Sequence, residues 1–182
     1  MIGVDPAAGS LDVAQAKPGA ERVRWIHGDA TALPPMQVDL ATMTANVAQA
    51  IVGKLDWKGT LRSVYAALRP GGQLVFETRD PAYRAWREWN RSASYSITDI
   101  QGVGTVESWV ELIDISGPLV SFRSTWVFAS DGRTLTSDST LRFRERDEVE
   151  ADLVAHAFAV DEVRDAPDRP GREFVFFARR PD

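Results

Sequence analysis

The chain has 182 residues, a length that fits one domain and allows folding to bury about 70% of the surface of the unfolded chain. Its net charge of −5 argues against nucleic acid as a partner, because binding to a phosphate backbone depends on concentrated positive charge. The absence of cysteine excludes disulfides, thiolate metal sites and a cysteine nucleophile. No apolar run approaches the roughly 20 residues that cross a bilayer, so no membrane partner is expected.

The first residues predict a strand and not a signal peptide. Ile2, Gly3 and Val4 are typical of the end of a short buried strand, with Asp5 at its tip and Pro6 opening the next turn. These residues lack the basic and apolar segments of a signal peptide. We therefore expect a cytoplasmic protein.

The first half of the chain alternates strand-like with helix-like segments. The pattern predicts strands over residues 2–5, 23–27, 38–44 and 73–78, and helices within residues 6–17 and 57–68. The sequence Arg69-Pro70-Gly71-Gly72 predicts a sharp end to the second helix. Strands separated by helices of this length indicate βαβ units and a largely parallel sheet.

The second half has a different character. Three β-rich runs cover residues 105–115, 119–129 and 134–143, and the Asp131-Gly132 pair between the last two is a strong hairpin signal. An antiparallel meander is predicted here. A helix is then expected from Asp147, a predicted N-cap, and two strands follow over residues 159–164 and 173–178. We expect a single domain, 1–182, with residues 104–144 as an inserted antiparallel β subdomain.

Four segments occur in an order that is informative in itself. They are, in turn, IGVDPA, GDATALP, DLATMTANVAQA and LRPGGQLVFETRDP, and together they span Ile2 to Pro81. This series resembles the consecutive motifs of class I S-adenosylmethionine-dependent methyltransferases, of the small-molecule type common in bacteria. The resemblance implies an α/β, Rossmann-like sheet, with the inserted meander as a lid or a dimerisation subdomain.

The resemblance also implies a set of cofactor-binding residues. Asp5, next to Pro6, would accept hydrogen bonds from both ribose hydroxyls of S-adenosylmethionine, a geometry that suits a carboxylate. Asp29 would accept from the adenine amino group, and the backbone N–H of Ala30 would meet an adenine ring nitrogen. The alternative for both aspartates is an ordinary role in turns, which Asp favours on its own account.

The loop after the third predicted strand would lie near the methionine moiety and the methyl group. It contains Thr44 and Asn46, and the alternative for Asn46 is to cap the next helix. The sulfonium is already a good electrophile, so the protein needs mainly to align and desolvate the methyl acceptor, and no metal is required.

The weakest candidates concern the methyl acceptor, which would be a small molecule. Arg79 follows a predicted strand at the edge that faces ligands in open α/β folds, and it could orient an anionic or carbonyl-bearing acceptor. Glu77 could accept a proton or could pair with Arg79. Tyr83, Trp86 and Trp89 are spaced three apart on a predicted helix, where packing is favoured over a lid role.

One part of the family's pattern is absent from these 182 residues. The family carries a strand, a glycine-rich E/D-x-G-x-G loop and a helix before the segment that resembles residues 2–5. That strand lies between the ones that residues 2–5 and 38–44 resemble, so we expect an incomplete sheet with two unpaired edges. Truncation is the favoured explanation; pairing with a second copy in a homodimer and a degenerate relative that binds no cofactor are the alternatives.

Two functions from different classes follow. The first is an S-adenosylmethionine-dependent methyltransferase that acts on a small molecule and is impaired in this form. The second is a non-catalytic remnant that serves as an oligomeric or interaction module. Cofactor binding distinguishes them.

Overall fold

A computed structural model describes all residues from Met1 to Asp182. The strands are β1 (Ile2–Asp5), β2 (Arg24–His27), β3 (Val38–Met43), β4 (Leu68–Arg79), β5 (Ser96–Ile100), β6 (Gly104–Ser116), β7 (Leu119–Phe128), β8 (Thr134–Arg142), β9 (Ala159–Asp165) and β10 (Glu173–Arg179). The helices are α1 (Ala8–Gln15), α2 (Val47–Ala50), α3 (Lys54–Ala67), α4 (Arg91–Ser94) and α5 (Arg146–Ala155). None of these helices combines the length and apolar character that crossing a membrane requires.

The strands form three separate sheets. Strands β1 and β2 pair in parallel, and a second sheet has the order β3-β4-β10-β9, in which β3 and β4 are parallel and β10 is antiparallel to both neighbours. Strands β6 to β8 form the antiparallel meander that the sequence predicts, and β5 adds a fourth strand beside β6. The α/β class is therefore confirmed.

The β1–β2 sheet and the β3-β4-β10-β9 sheet are not hydrogen-bonded to each other. Strand β1 pairs only with β2, and β3 pairs only with β4, so each has one unpaired edge, as expected. Leu40 on β3 is 54% exposed. The β1–β2 sheet meets the rest of the molecule through residues Ala30–Ala32, a short 3-10 turn that packs on α3. The relative placement of the two sheets thus rests on side-chain packing.

The core lies between α3, α5 and the second sheet. Helix α3 buries Trp57 and Leu61 on one face, because apolar residues three and four apart share a side of a helix. The Phe76 ring of β4 stacks on Phe176 of β10 with ring centroids 5.0 Å apart, and Trp57 meets Phe76 edge-on at 5.8 Å. The Trp57 indole N–H donates to Asp152 of α5 at 2.9 Å, so the buried ring keeps its polar contact.

Strand β4 begins earlier than the sequence predicts. Helix α3 ends at Ala67, as the Arg-Pro-Gly-Gly stretch predicts, but β4 starts at Leu68 and includes that stretch, whereas the sequence predicts a strand only from residue 73. The Gly71 N–H donates to the Arg180 carbonyl and the Arg180 N–H donates to the Gly72 carbonyl, both at 2.9 Å, so the chain beyond β10 continues the ladder. Gly71 adopts φ 74°, a left-handed conformation that glycine accepts without strain.

The prediction of one helix that carries Tyr83, Trp86 and Trp89 is wrong. The segment forms two short 3-10 turns, Pro81–Tyr83 and Ala85–Glu88, because Arg84 between them has φ 54° and interrupts the helical path. Helix α4 and then β5 follow this segment, and the sequence analysis identified neither. Helix α5 has Glu145 at its N-cap position, and the predicted cap Asp147 lies inside the first turn.

The packing of α3 allows a direct test of the core. We expect Leu61→Ala to lower the free energy of unfolding by about 2–5 kcal/mol, because it opens a cavity at a fully buried position. Leu55→Ala is the matched control on the same helix, where the side chain is 81% exposed, and should change stability by about 0.5 kcal/mol or less. Urea unfolding followed by circular dichroism measures both; equal losses would contradict the assigned core.

Candidate functional site

Two carboxylates lie at the same edge of the β1–β2 sheet. Asp5 ends β1 and is in register with His27, the last residue of β2, and Asp29 follows two residues later. Because the strands are parallel, both aspartates lie at the carboxyl ends of neighbouring strands. In open α/β sheets, ligands bind at this edge.

Both aspartates also organise their local turns. An oxygen of Asp5 accepts from the Ala7 N–H at 2.7 Å, and an oxygen of Asp29 accepts from the Thr31 N–H at 2.8 Å and the Thr31 hydroxyl at 2.5 Å. The Thr31 hydroxyl bond is the main reason that the pKa of Asp29 lies below its usual value. Both aspartates therefore have the local turn role that was the alternative for them. An ionised carboxylate has about four acceptor positions, so each retains some for a ligand.

A strained turn follows β3, at the carboxyl edge of the second sheet. Ala45 and Asn46 adopt φ 57° and 58°, the left-handed region, which non-glycine residues rarely enter. Asn46 occupies the N-cap position of α2, but its side chain makes no capping bond. It donates instead from Nδ2 to Glu173 Oε1 at 3.0 Å, while its backbone N–H donates to Glu77 Oε1 at 3.2 Å. The capping alternative for Asn46 is therefore wrong.

Glu77 and Arg79 do not pair with each other. The backbone contact with Asn46 occupies Glu77, while the Arg79 guanidinium donates to Gln49 Oε1 at 3.0 Å. The Arg79 guanidinium also lies 6.0 Å from the centroid of the Trp89 ring. Burial lowers the pKa of Arg79 from its ordinary value. Pairing with Arg79 was one of the two alternatives for Glu77, and in the structure both residues instead contact the segment that follows β3.

Sequence reasoning missed Glu173, the buried carboxylate of this cluster. Glu173 is 4% exposed and accepts from Arg169 Nη1 at 2.8 Å as well as from Asn46. The hydrogen bond to Glu173 raises the pKa of Arg169. A glutamate at the start of the apolar run EFVFFA was the available signal, because a charged residue entering a buried strand needs a partner.

Arg144 fixes the far end of the same segment. Its guanidinium donates to the Ala48 carbonyl at 2.9 Å and to the Ile51 carbonyl at 2.6 Å, and it lies 4.6 Å from the centroid of the Trp57 ring. Burial of this 2% exposed residue lowers its pKa to about 10. Residues 44–51 are thus held by charged side chains at both ends, and the sequence analysis identified neither Arg144 nor Gln49.

A cleft of about 1070 Å³ opens beside this cluster. Its walls are the Pro81–Arg91 segment, the end of the meander around Leu112 and Ile115, and the start of α5. Aromatic rings and opposite charges share the lining, which includes Arg84, Arg87, Trp86, Trp89, Phe143, Glu145 and Glu148. Trp89 belongs both to this lining and to the contact with Arg79, so the cleft adjoins the carboxyl end of β4.

The role of Thr31 predicts how Asp29 titrates. We expect Thr31→Val to raise the pKa of Asp29 toward its ordinary value, because the hydroxyl donor to the charged form is lost. Carbon-13 NMR titration of the aspartate carboxyl groups measures the shift. Thr136→Val, an exposed substitution in the meander, is the control and should leave the Asp29 midpoint unchanged. An unchanged midpoint in Thr31→Val would show that the hydroxyl does not stabilise the carboxylate.

Comparisons with known proteins agree with this arrangement. Residues 1–72 match the sequence profile of the family described as "Methyltransferase domain". No curated protein sequence matches the chain. That profile covers β1, β2 and β3, and with them both aspartates and the strained turn.

Solved structures match the whole chain. An S-adenosylmethionine-dependent methyltransferase from Clostridium acetobutylicum superposes with a TM-score of 0.77 at 16% identity, covering 100% of this chain and 75% of the other. The sugar N-methyltransferase KedS8 from a Streptoalloteichus species gives 0.75 at 16%, covering 100% and 71%. The S-adenosylmethionine-bound amino pentose methyltransferase CalS10 from Micromonospora echinaspora gives 0.70 at 19%, covering 98% and 73%. The chain therefore has the fold of S-adenosylmethionine-dependent methyltransferases, and its first 72 residues carry the methyltransferase-domain sequence pattern.

Proposed function

We propose that this protein is a methyltransferase that uses S-adenosylmethionine to methylate a small molecule. The observation that carries the proposal is the pair Asp5 and Asp29, at the carboxyl ends of adjacent parallel strands within the segment that matches the methyltransferase profile. An edge of this kind suits a nucleoside ligand, because carboxylates there can accept from hydroxyl and amino groups.

The residues present fit the cofactor. In this proposal Asp5, beside Pro6, accepts from the ribose hydroxyls, Asp29 accepts from the adenine amino group, and the Ala30 N–H donates to an adenine ring nitrogen. The Thr31 bonds lower the pKa of Asp29, so they favour the ionised form that accepts hydrogen bonds. The bound cofactor would supply an electrophilic methyl group, and the protein would contribute alignment and exclusion of water.

Thr44 and Asn46 would border the methionine moiety and the methyl group. Glu77 and Glu173 accept hydrogen bonds from Asn46 in this turn, so the turn is fixed in the unliganded protein. The buried Asn46 Oδ1 makes no hydrogen bond within the chain, which suits a place where a ligand donor completes the contacts. A preorganised turn of this kind aligns a methyl acceptor without a further ordering cost.

For the acceptor we propose an amino sugar or a related polar amine, bound in the cleft beside β4. Neighbours in fold include an amino pentose methyltransferase and a sugar N-methyltransferase. The cleft offers Trp86 for stacking on a sugar ring and Glu145 and Glu148 for an amine. Residues 104–144 would serve as one wall and lid of this cleft, since Leu112 and Ile115 line it; a homodimer through the meander is the alternative.

We further propose that cofactor binding by these 182 residues alone is weak. They contain no E/D-x-G-x-G loop, and the edges of β1 and β3 have no partner strand. The unpaired edges also favour the second candidate function, an interaction module that pairs these edges with another chain. The cytoplasmic location and the bacterial origin stay predictions.

Titration calorimetry with S-adenosylhomocysteine separates the two functions. We expect this chain to bind at least about tenfold more weakly than a version in which a strand, glycine loop and helix are fused before Met1. In the version that binds, Asp5→Asn and Asp29→Asn should each weaken binding, because each removes a paired acceptor. Asp12→Asn on α1 is the control. No binding by either version, together with self-association, would favour the interaction module.

The acceptor proposal predicts selectivity for a free amine. With the version that binds cofactor, a panel of amino sugars should gain one methyl group, while their N-acetylated counterparts should not, because acylation delocalises the nitrogen lone pair into the carbonyl and makes it a poor nucleophile. Glu145→Gln should lower kcat/KM by about tenfold, since it removes a charge that the ammonium meets on entry. Glu162→Gln, an exposed substitution on β9, is the control. Mass spectrometry records the products; equal methylation of both classes would contradict the amine assignment.

A further inference from the structure

We propose that Glu173 is a positioning residue of the methyl-transfer site: acting through Asn46, it holds the left-handed turn after β3 in the shape that ligand binding requires. This inference rests on the proposed function. It concerns a residue 127 positions from Asn46 in the chain, outside the segment that matches the methyltransferase profile.

The turn needs an external support. Ala45 and Asn46 are successive non-glycine residues at φ 57° and 58°. Asparagine tolerates this region better than most residues, but alanine has no side chain that stabilises it. Such conformations persist only where the surrounding structure holds them, and they occur often at binding and catalytic sites. Contacts from outside the turn must therefore hold Ala45 and Asn46 in this conformation.

Two carboxylates supply the contacts. Glu77 Oε1 accepts the Asn46 backbone N–H at 3.2 Å, and Glu173 Oε1 accepts Asn46 Nδ2 at 3.0 Å. Asn46 and Glu173 are 3% and 4% exposed, so water does not compete for the bond between them. Glu77 fixes the backbone, and Glu173 is the group that fixes the side chain.

Glu173 also decides which way the Asn46 amide is turned. A carboxylate only accepts hydrogen bonds, so the amide nitrogen of Asn46 must face it and the amide oxygen must face elsewhere. That oxygen is buried and has no partner within the chain. Unsatisfied buried acceptors are uncommon in folded proteins. Through this contact, Glu173 presents Asn46 as an acceptor for a donor group of the ligand.

Arg169 makes Glu173 rigid enough for this role. Arg169 Nη1 donates to the same Glu173 oxygen at 2.8 Å, and the arginine side chain is half exposed while that of Glu173 is 5% exposed. Glu173 is also in register with Arg79 on β4. The ion pair with Arg169 restricts the Glu173 side chain, because breaking it would leave an uncompensated charge at a buried position. A purely structural ion pair would share these features, so the test must read out the turn itself.

Glu173→Gln tests the proposal with a well-matched control. The amide can donate as well as accept, so it no longer dictates the orientation of Asn46. We expect faster hydrogen exchange in a peptide covering residues 44–51 of the unliganded protein, and about a tenfold loss of S-adenosylhomocysteine affinity in the version that binds it. Glu150→Gln removes the same group from another arginine pair, Arg146–Glu150, at the same i,i+4 spacing, and should change neither.

A second substitution shows whether Glu173 acts through Asn46. Asn46→Gly accepts the left-handed conformation without strain and removes the amide. In that background Glu173→Gln should change affinity by less than about twofold, because the contact is already gone. An equal loss in both backgrounds, or unchanged exchange over 44–51 in the single variant, would overturn the proposal.

The outcomes separate this inference from the proposed function. If no version binds S-adenosylhomocysteine, the proposed function fails, while hydrogen exchange in the unliganded protein still decides whether Glu173 holds the turn. If Glu173→Gln does not fold, Glu173→Asp keeps the charge and shortens the side chain by one methylene. The same local rise in exchange is then expected, and its absence would count against the proposal.

Discussion

A gap in backbone hydrogen bonding between β1 and β3 determines how the candidate site is arranged. It divides the carboxyl edge into two halves, one with Asp5 and Asp29 and one with the turn around Asn46. The halves are joined by the packing of Ala30–Ala32 on α3 and not by a strand ladder. Packing of this kind tolerates small shifts, so the distance between the two halves is less firmly fixed than the geometry within each.

In the half of the carboxyl edge that contains Asn46, charged side chains hold the site in place. Glu77 and Glu173 fix one end of the segment after β3, and Arg144 fixes the other through two carbonyl groups. Glu173 and Arg144 are buried, and each would destabilise the protein if it lost its partner. The arrangement supports a segment whose backbone is strained, and it does so from strands and helices that belong to the core. Rigid support is what alignment of a methyl acceptor requires.

Local sequence patterns predicted many of the strands and the meander. The strands at residues 2–5, 38–44 and in the meander follow from alternating and β-branched runs. Asp5 follows from its place at a strand tip, whereas Asp29 follows from the resemblance to the methyltransferase motifs. The meander was predictable because hairpins bring together residues that are close in the chain. The unpaired edges of β1 and β3 were expected from the family resemblance, because the family's sheet has a further strand between the two.

What the sequence could not show depends on distant contacts. The roles of Glu173 and Arg144 are set by partners about a hundred residues away, and no pattern around either residue names those partners. The helix predicted over Tyr83 to Trp89 failed because a single residue, Arg84, takes a left-handed conformation that its own sequence does not signal. The early start of β4 likewise depends on Arg180, which extends the ladder from the end of the chain.

We propose that the two halves of the carboxyl edge form one ligand site. Two-dimensional NMR with added S-adenosylhomocysteine tests this most directly, because amide signals report each half separately. The account predicts that the signals of Asp5, Asp29 and Asn46 shift together and saturate at the same ligand concentration. Shifts confined to one half, or different saturation points for the two halves, would contradict it.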